Sequence, residues 1–432
     1  MLRNYLKMAL KVLARRKFFT FISLFGISIT LVVLLVATAL LDHIFAPQAP
    51  ETQGDRTLGL YQVTLRGENS TYNGFSGYGL LDRVTRGLQE ELPAIEKIAI
   101  FSMPDTVVSY VGGRKIESDL KRTDGAYWQI VDFDFVEGGP FSAEDDAQAR
   151  FVAVINESTR DRFFGRVPAV GRTLEADGQR FRVVGVVRDV PILRLVSYGE
   201  IWVPISTAKS KTWRKEYIGN FMAVFLARSR SDFPQIKAAV DRRLNVAEEH
   251  IPDRRIFQRI EGGADTLFEA VARFFAYPVG TGTSSGSLNS GARKESRPEL
   301  FLALLIALAV LFMLLPSVNL VNINLSRILD RASEIGVRKA FGASSRTLVG
   351  QFVVENVVLT LVGGAIGLVL AAAVLTGLNA SGLIPYADLR LNFRVFFEGM
   401  ALALFFGLFS GVYPAWKMSR LHPVQALRGR SV

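Results

Sequence analysis

A chain of 432 residues with 49% apolar side chains and a mean hydropathy of +0.25 favours membrane segments over a two- or three-domain soluble protein. The net charge of +11 invites a nucleic-acid reading. However, 34 Lys/Arg stand against 33 Asp/Glu between His43 and Pro298, and 17 against 7 elsewhere, so the excess flanks apolar runs and reads as orientation and lipid-headgroup charge. The lack of cysteine excludes thiol chemistry and leaves the compartment open, because about 255 residues can bury a core without disulfides.

Residues 1–17 carry six basic and no acidic side chains. Arg3, Lys7, Lys11 and Arg15 recur at intervals of four, the pattern of a basic amphipathic helix lying on a membrane surface; the alternative is a disordered basic tail. A first apolar run, 18–41, is long enough to span hydrocarbon. Ala37-Thr38-Ala39 resembles a cleavage site, but the run is longer than a signal-peptide core, so an uncleaved anchor is expected.

Residues 43–298 read as a large α+β domain. Val107–Val111 and Arg114–Leu120 flank Gly112-Gly113, and Thr173–Ala176 and Gln179–Val187 flank Asp177-Gly178, two hairpin signatures. Phe151–Ile155 predicts a buried strand, followed by a helix from Glu157 to Phe164 that stops at Gly165. Further helices are expected at 80–92 and 233–244, and a flexible Gly/Ser-rich loop at 281–291. Three more apolar runs follow, at 300–321, 352–378 and 395–413, separated by a charged segment, 326–350, and a short loop, 379–394; a tail covers 414–432. The fold class expected is therefore a membrane α-helical protein with four transmembrane helices and a large α+β extracytoplasmic domain between the first two. The basic excess of 1–17, 326–350 and 417–432 places those three stretches in the cytoplasm, and four spans then put 43–298 and 379–394 outside.

Motifs for chemistry are weak. No G-x-x-x-x-G-K-[ST] occurs; the nearest string, GRVPAVGRT at 165–173, has the wrong spacing and Arg for Lys, and reads as a surface turn. Glu355 lies about one turn into the third span, where it could snorkel, cap the join to the charged segment or relay protons. Glu398 opens the fourth span near its outer end. His43, His250 and His422 have no metal spacing, and the pairs Asp132/Asp134 and Asp145/Asp146 fall in predicted loops. No enzyme chemistry, cofactor or metal is expected in this chain.

ASEIGVRKAFGAS at 332–344, then QFVVEN and LVGGAIGLVLA, and the closing YPAWKMSRLHPVQALR resemble the membrane region of MacB/FtsX-like ABC permeases. FVEGGPFSAEDD, VAVINESTRDRFFG and VGRTLEADGQRFRVVGVVRDVP are similar to that family's periplasmic core domain. The resemblance implies a multi-pass protein of a bacterial inner membrane and a two-lobed outer domain with an insert lobe at about 123–191. It also implies a homo- or heterodimer of permeases with two copies of an ABC ATPase, which would be a separate chain holding ATP and Mg. A periplasmic adaptor or outer-membrane channel and membrane lipids are further expected partners; nucleic acid is not. Glu334, Ile335, Gly336, Arg338, Lys339, Phe341 and Gly342 are the expected ATPase-coupling residues. The function implied is transmission of ATP-driven motion to the outer domain for export; FtsX-like regulation of a cell-wall hydrolase and lipoprotein release are the alternatives.

Overall fold

The computed structural model describes residues 17–252, 254–276, 299–308 and 344–419, with Lys11, Ala14, Arg15, Val310, Leu311 and Val337. The chain divides into a helical unit, whose described parts fall within 11–42, 302–383 and 389–419, and a large domain formed by His43–Phe301 with Ile384–Asp388.

The helical unit is built from α1 (Lys17–Phe45), α6 (Ser345–Ser381) and α7 (Phe393–Ser419). The first predicted span falls within α1, which is apolar all round. Phe18, Phe21, Phe25, Ile29 and Val33 form an exposed stripe at helical spacing, whereas Ile27, Leu31 and Leu35 on the other side are buried. The buried side meets a glycine seam. A Cβ at Gly367 would stand 3.1 Å from the Ser28 carbonyl oxygen, and one at Gly363 would stand 3.0 Å from Ile27 Cβ, so these glycines allow backbone-close packing of the kind membrane helices use. The Ser28 hydroxyl donates to the Gly363 carbonyl at 2.8 Å across that seam. Ser344 caps α6 by accepting from the Thr347 amide, and Gly382 ends it at φ +67°, a left-handed stop. Among the described residues, Lys17–Phe45 and Val349–Ser381 are helices long and apolar enough to cross a membrane. The second predicted span, 300–321, is described as an apolar helix over Glu299–Leu308, and most of its remainder lies outside the described residues.

The large domain is α+β, with strands β1 (Thr57–Leu60), β2 (Val63–Arg66), β3 (Thr71–Gly74), β4 (Ile95–Ser102), β5 (Asp105–Val111), β6 (Arg114–Thr123), β7 (Phe135–Gly138), β8 (Val152–Asn156), β9 (Thr173–Ala176), β10 (Gln179–Val187), β11 (Ile201–Pro204), β12 (Phe221–Ala227) and β13 (Arg259–Gly262). Its longer helices are α2 (Tyr78–Thr85), α3 (Glu157–Phe164), α4 (Phe233–Glu248) and α5 (Leu267–Ala276). Both hairpins form around their predicted turns, with Gly112, Gly113, Asp177 and Gly178 all at positive φ. The helix expected over 80–92 is instead two pieces, because Gly87 turns left-handed between Thr85 and Leu88.

A ten-stranded sheet runs β1-β12-β4-β6-β11-β8-β10-β7, with β5 on β6 and β9 on β10; β13-β2-β3 form a second sheet. The large sheet has two halves, since β4 and β6 share a single register pair, Phe101 with Thr123. On the β1/β12/β4 half, Leu58, Phe225, Ile236 and Leu244 pack with the helices α2 and α4. On the other, Ile155, Phe163, Phe181 and Val203 pack under α3. An aromatic cluster that includes Phe101, Tyr127, Phe133 and Trp202 fills the space where the halves meet.

Candidate functional site

A network of buried polar bonds gathers on the segment 191–200 between β10 and β11. Lys121, on β6 and fully buried, donates to the carbonyls of Leu195 (3.1 Å) and Val196 (2.7 Å) and lies 4.7 Å over the Phe101 ring. Tyr127 is a second donor to the Val196 carbonyl, at 3.0 Å. Burial draws the Lys121 ammonium down to about 7, a shift the Glu51 charge opposes. Asp124 sits beside it in sequence, accepting from the Ile100 and Tyr127 amides at 2.7 and 2.9 Å; burial outweighs those bonds and pushes its carboxyl up to about 7.

The two ends of the segment are charged and buried. Arg194 donates to the Ala46 carbonyl at 2.9 Å and lies 4.0 Å from Glu51, whose other oxygen accepts from the amide and hydroxyl of Ser197. Ala46, Glu51 and Arg194 border a cavity of about 50 Å³ with Tyr61, Ile130 and Leu267, room for a few water molecules and too little for an organic substrate. Glu200 accepts from Arg162 (2.7 Å), the Asp119 amide (3.1 Å) and the Tyr386 hydroxyl (2.5 Å). Burial, then the Glu200 hydrogen bond, pushes the Tyr386 hydroxyl up to about 12.

The sequence-predicted residues fall elsewhere. Glu334, Ile335, Gly336, Arg338, Lys339, Phe341 and Gly342 lie outside the described residues, as do Arg3 and Lys7; Lys11 and Arg15 are helical and exposed. Glu355 is buried and accepts from Gln351 at 3.0 Å, one turn earlier on α6. Glu398 is exposed and paired with Arg394. Asp145 closes a capping box with Ser142, Asp146 accepts from the Ser206 amide and Asp134 pairs with Arg188, so three of the four singled-out aspartates have structural partners. Gly165 is the left-handed end of α3, which makes GRVPAVGRT the turn its spacing suggested. Among the described residues no three His, Cys, Asp or Glu come together as a metal site.

Residues 20–243 match the model of the MacB-like periplasmic core domain, and 306–423 match that of the FtsX-like permease C-terminal region. The chain belongs to the MacB/FtsX-like ABC permease family. This permease is 29% identical over 325 residues to the pyoverdine export ATP-binding/permease protein PvdT of Pseudomonas syringae pv. tomato, covering 74% of this chain and 42% of that one. It is 26% identical over 308 residues to the macrolide export ATP-binding/permease protein MacB of Bdellovibrio bacteriovorus, covering 70% and 42% respectively. It thus spans less than half the length of these curated relatives. The solved periplasmic region of MacB from Actinobacillus actinomycetemcomitans is 17% identical, with a TM-score of 0.35 over 52% of this chain and 95% of that one.

Proposed function

We propose that this permease works in an ABC-type exporter of a bacterial inner membrane, crossing it four times with the large domain outside, and passes ATP-driven motion to that domain. The observation that carries the reading is the order of the two family matches, a periplasmic core followed by a permease C-terminal region. In this reading a dimer of permeases binds two ABC ATPase subunits, which hold ATP and Mg, and an adaptor or outer-membrane channel receives the cargo. The relatives named for pyoverdine and macrolide export favour export over hydrolase regulation.

The segment 326–350 is the proposed input. Glu334, Arg338 and Lys339 supply charge around the apolar Phe341, the make-up of a small protein-binding hot spot. Mild detergent extraction and mass spectrometry should find an ABC ATPase with the wild-type chain. Phe341→Ala combined with charge reversal at Glu334 and Arg338 should lower its recovery about tenfold or more while the large domain stays folded. Wild-type recovery and wild-type ATPase activity in the triple variant would remove this segment from the mechanism; no nucleotide-binding protein with the parent chain would overturn the reading itself.

A further inference from the structure

The segment 191–200 holds two pieces of chain that are remote in sequence. One is the stretch that leaves α1: Arg194 bonds the Ala46 carbonyl, and Ser197 bonds Glu51 twice. The other is the loop between α6 and α7: the Ile192 amide donates to the Pro385 carbonyl at 3.2 Å, and Tyr386 donates to Glu200. Residues 384–388 belong to the large domain, although the helices on either side of them belong to the helical unit. Tyr386 takes φ +58°, a left-handed conformation that is unfavourable for a side-chain-bearing residue. Glycine would relieve that cost but could not make the bond to Glu200. Glu200 is itself fixed by Arg162 from α3 and by the Asp119 amide of β6, and β11 begins at the next residue.

We propose that segment 191–200 is a clamp joining the exit of α1 and the α6–α7 loop to β11, with Tyr386 and Glu200 as its positioning residues. Displacement of any of the three helices then reaches the β6/β11/β8 half of the sheet through two anchored points. The transmission role rests on the function proposed above, whereas the clamp rests on the bonds alone.

Tyr386→Phe removes one hydroxyl and keeps the ring; Leu383→Ala, at an exposed neighbour, is the control. Hydrogen exchange is read on full-length protein in nanodiscs, alone and with the co-purified ATPase. In Tyr386→Phe, the amides of Ile192 and Ala387, bonded to the Pro385 and Ile384 carbonyls, should exchange about tenfold faster or more, the loss expected for a buried bond to a charged group, while β12 and the control stay at the parent rate. Unchanged exchange at those amides overturns the clamp. With the ATPase present, the parent should show nucleotide-dependent exchange in β8, β10 and β11, and Tyr386→Phe should lose it while still binding the ATPase. A full nucleotide response in a variant whose loop is released overturns the transmission role. A parent chain with no nucleotide response overturns that role together with the function proposed above, and leaves the clamp measured by the first comparison.

Discussion

Lys121 and Asp124 lie three residues apart, the lysine fully enclosed and the aspartate partly exposed, and burial moves them in opposite directions to about the same pH. Unfolding returns them toward ordinary values of 10.5 and 3.8. From about pH 4 to 7 the folded Asp124 holds a proton that the unfolded chain has lost, so this group lowers stability as pH rises. From about pH 7 to 10 the folded Lys121 lacks a proton that the unfolded chain keeps, so stability rises with pH. Asp265, raised to about 6 by burial against the opposing Arg273, acts in the same sense as Asp124. The thermal midpoint of the large domain should therefore climb between pH 7 and 9, by about 5 °C. Lys121→Met should flatten that limb, and Asp124→Asn should flatten the falling limb below pH 7. Both variants start from lower stability, since each disturbs a buried hydrogen bond, so the slopes decide. A Lys121→Met profile parallel to the parent above pH 7 would show that the lysine is not the source. Neither residue stood out in the sequence: a lone Lys or Asp in a charged stretch reads as solvated, and the carbonyls that Lys121 serves lie more than 70 residues away.

At the scale of elements, local chemistry was legible and long-range pairing was not. The two hairpins and α3 were readable because Gly-Gly, Asp-Gly and Gly165 impose left-handed turns on their own neighbours. β12 was missed: FMAVFLA is a continuous apolar run with no alternation, since it is buried on both faces between β1 and β4. The clamp was missed because its partners are separated by as many as 186 residues. The glycine seam of α6 was quoted as part of a family-like string, and the packing gives its reason. Gly364 faces the flexible end of Met400, so Gly364→Ala should be absorbed by a change of rotamer. Gly367 faces the Ser28 backbone, so Gly367→Val must push α1 and α6 apart at a cost of roughly 1–3 kcal/mol. The cysteine-free chain allows a direct measurement. Ile27→Cys with Gly363→Cys, whose Cβ positions lie 3.0 Å apart, needs the helices to give by about 0.5 Å to reach disulfide geometry and should then cross-link under mild oxidation. Adding Gly367→Val should slow that cross-link at least several-fold, whereas adding Gly364→Ala should not; equal rates in all three would mean the seam is not the contact that sets the helix spacing.

For the whole molecule, the number of crossings follows from which pieces share a side. The α6–α7 loop contributes Tyr386 to the same buried network as Glu200, Arg162 and Asp119, so in the membrane arrangement proposed above that loop and the large domain share one face. Two points on one face are separated by an even number of crossings. Between the large domain and this loop stand α6, which is long enough to cross, and the apolar run 300–321. If α6 crosses, the run before it must cross too, and the charged segment 326–350 between them faces the opposite side. On the proposed orientation, the basic excess of that segment and of residues 1–17 assigns this side to the cytoplasm. Single cysteines at Tyr110 and Leu383, both strongly exposed, should then react with a membrane-impermeant maleimide applied from outside, once any outer membrane is permeabilised. A cysteine at Lys11 should react only after the inner membrane is opened. Labelling of positions 110 and 383 from opposite sides would show that one of the two apolar segments between them does not span, and would also break the Tyr386–Glu200 bond as a feature of the protein in its membrane. Labelling of all three from outside would leave the shared face of loop and domain intact and would overturn the orientation drawn from the basic segments.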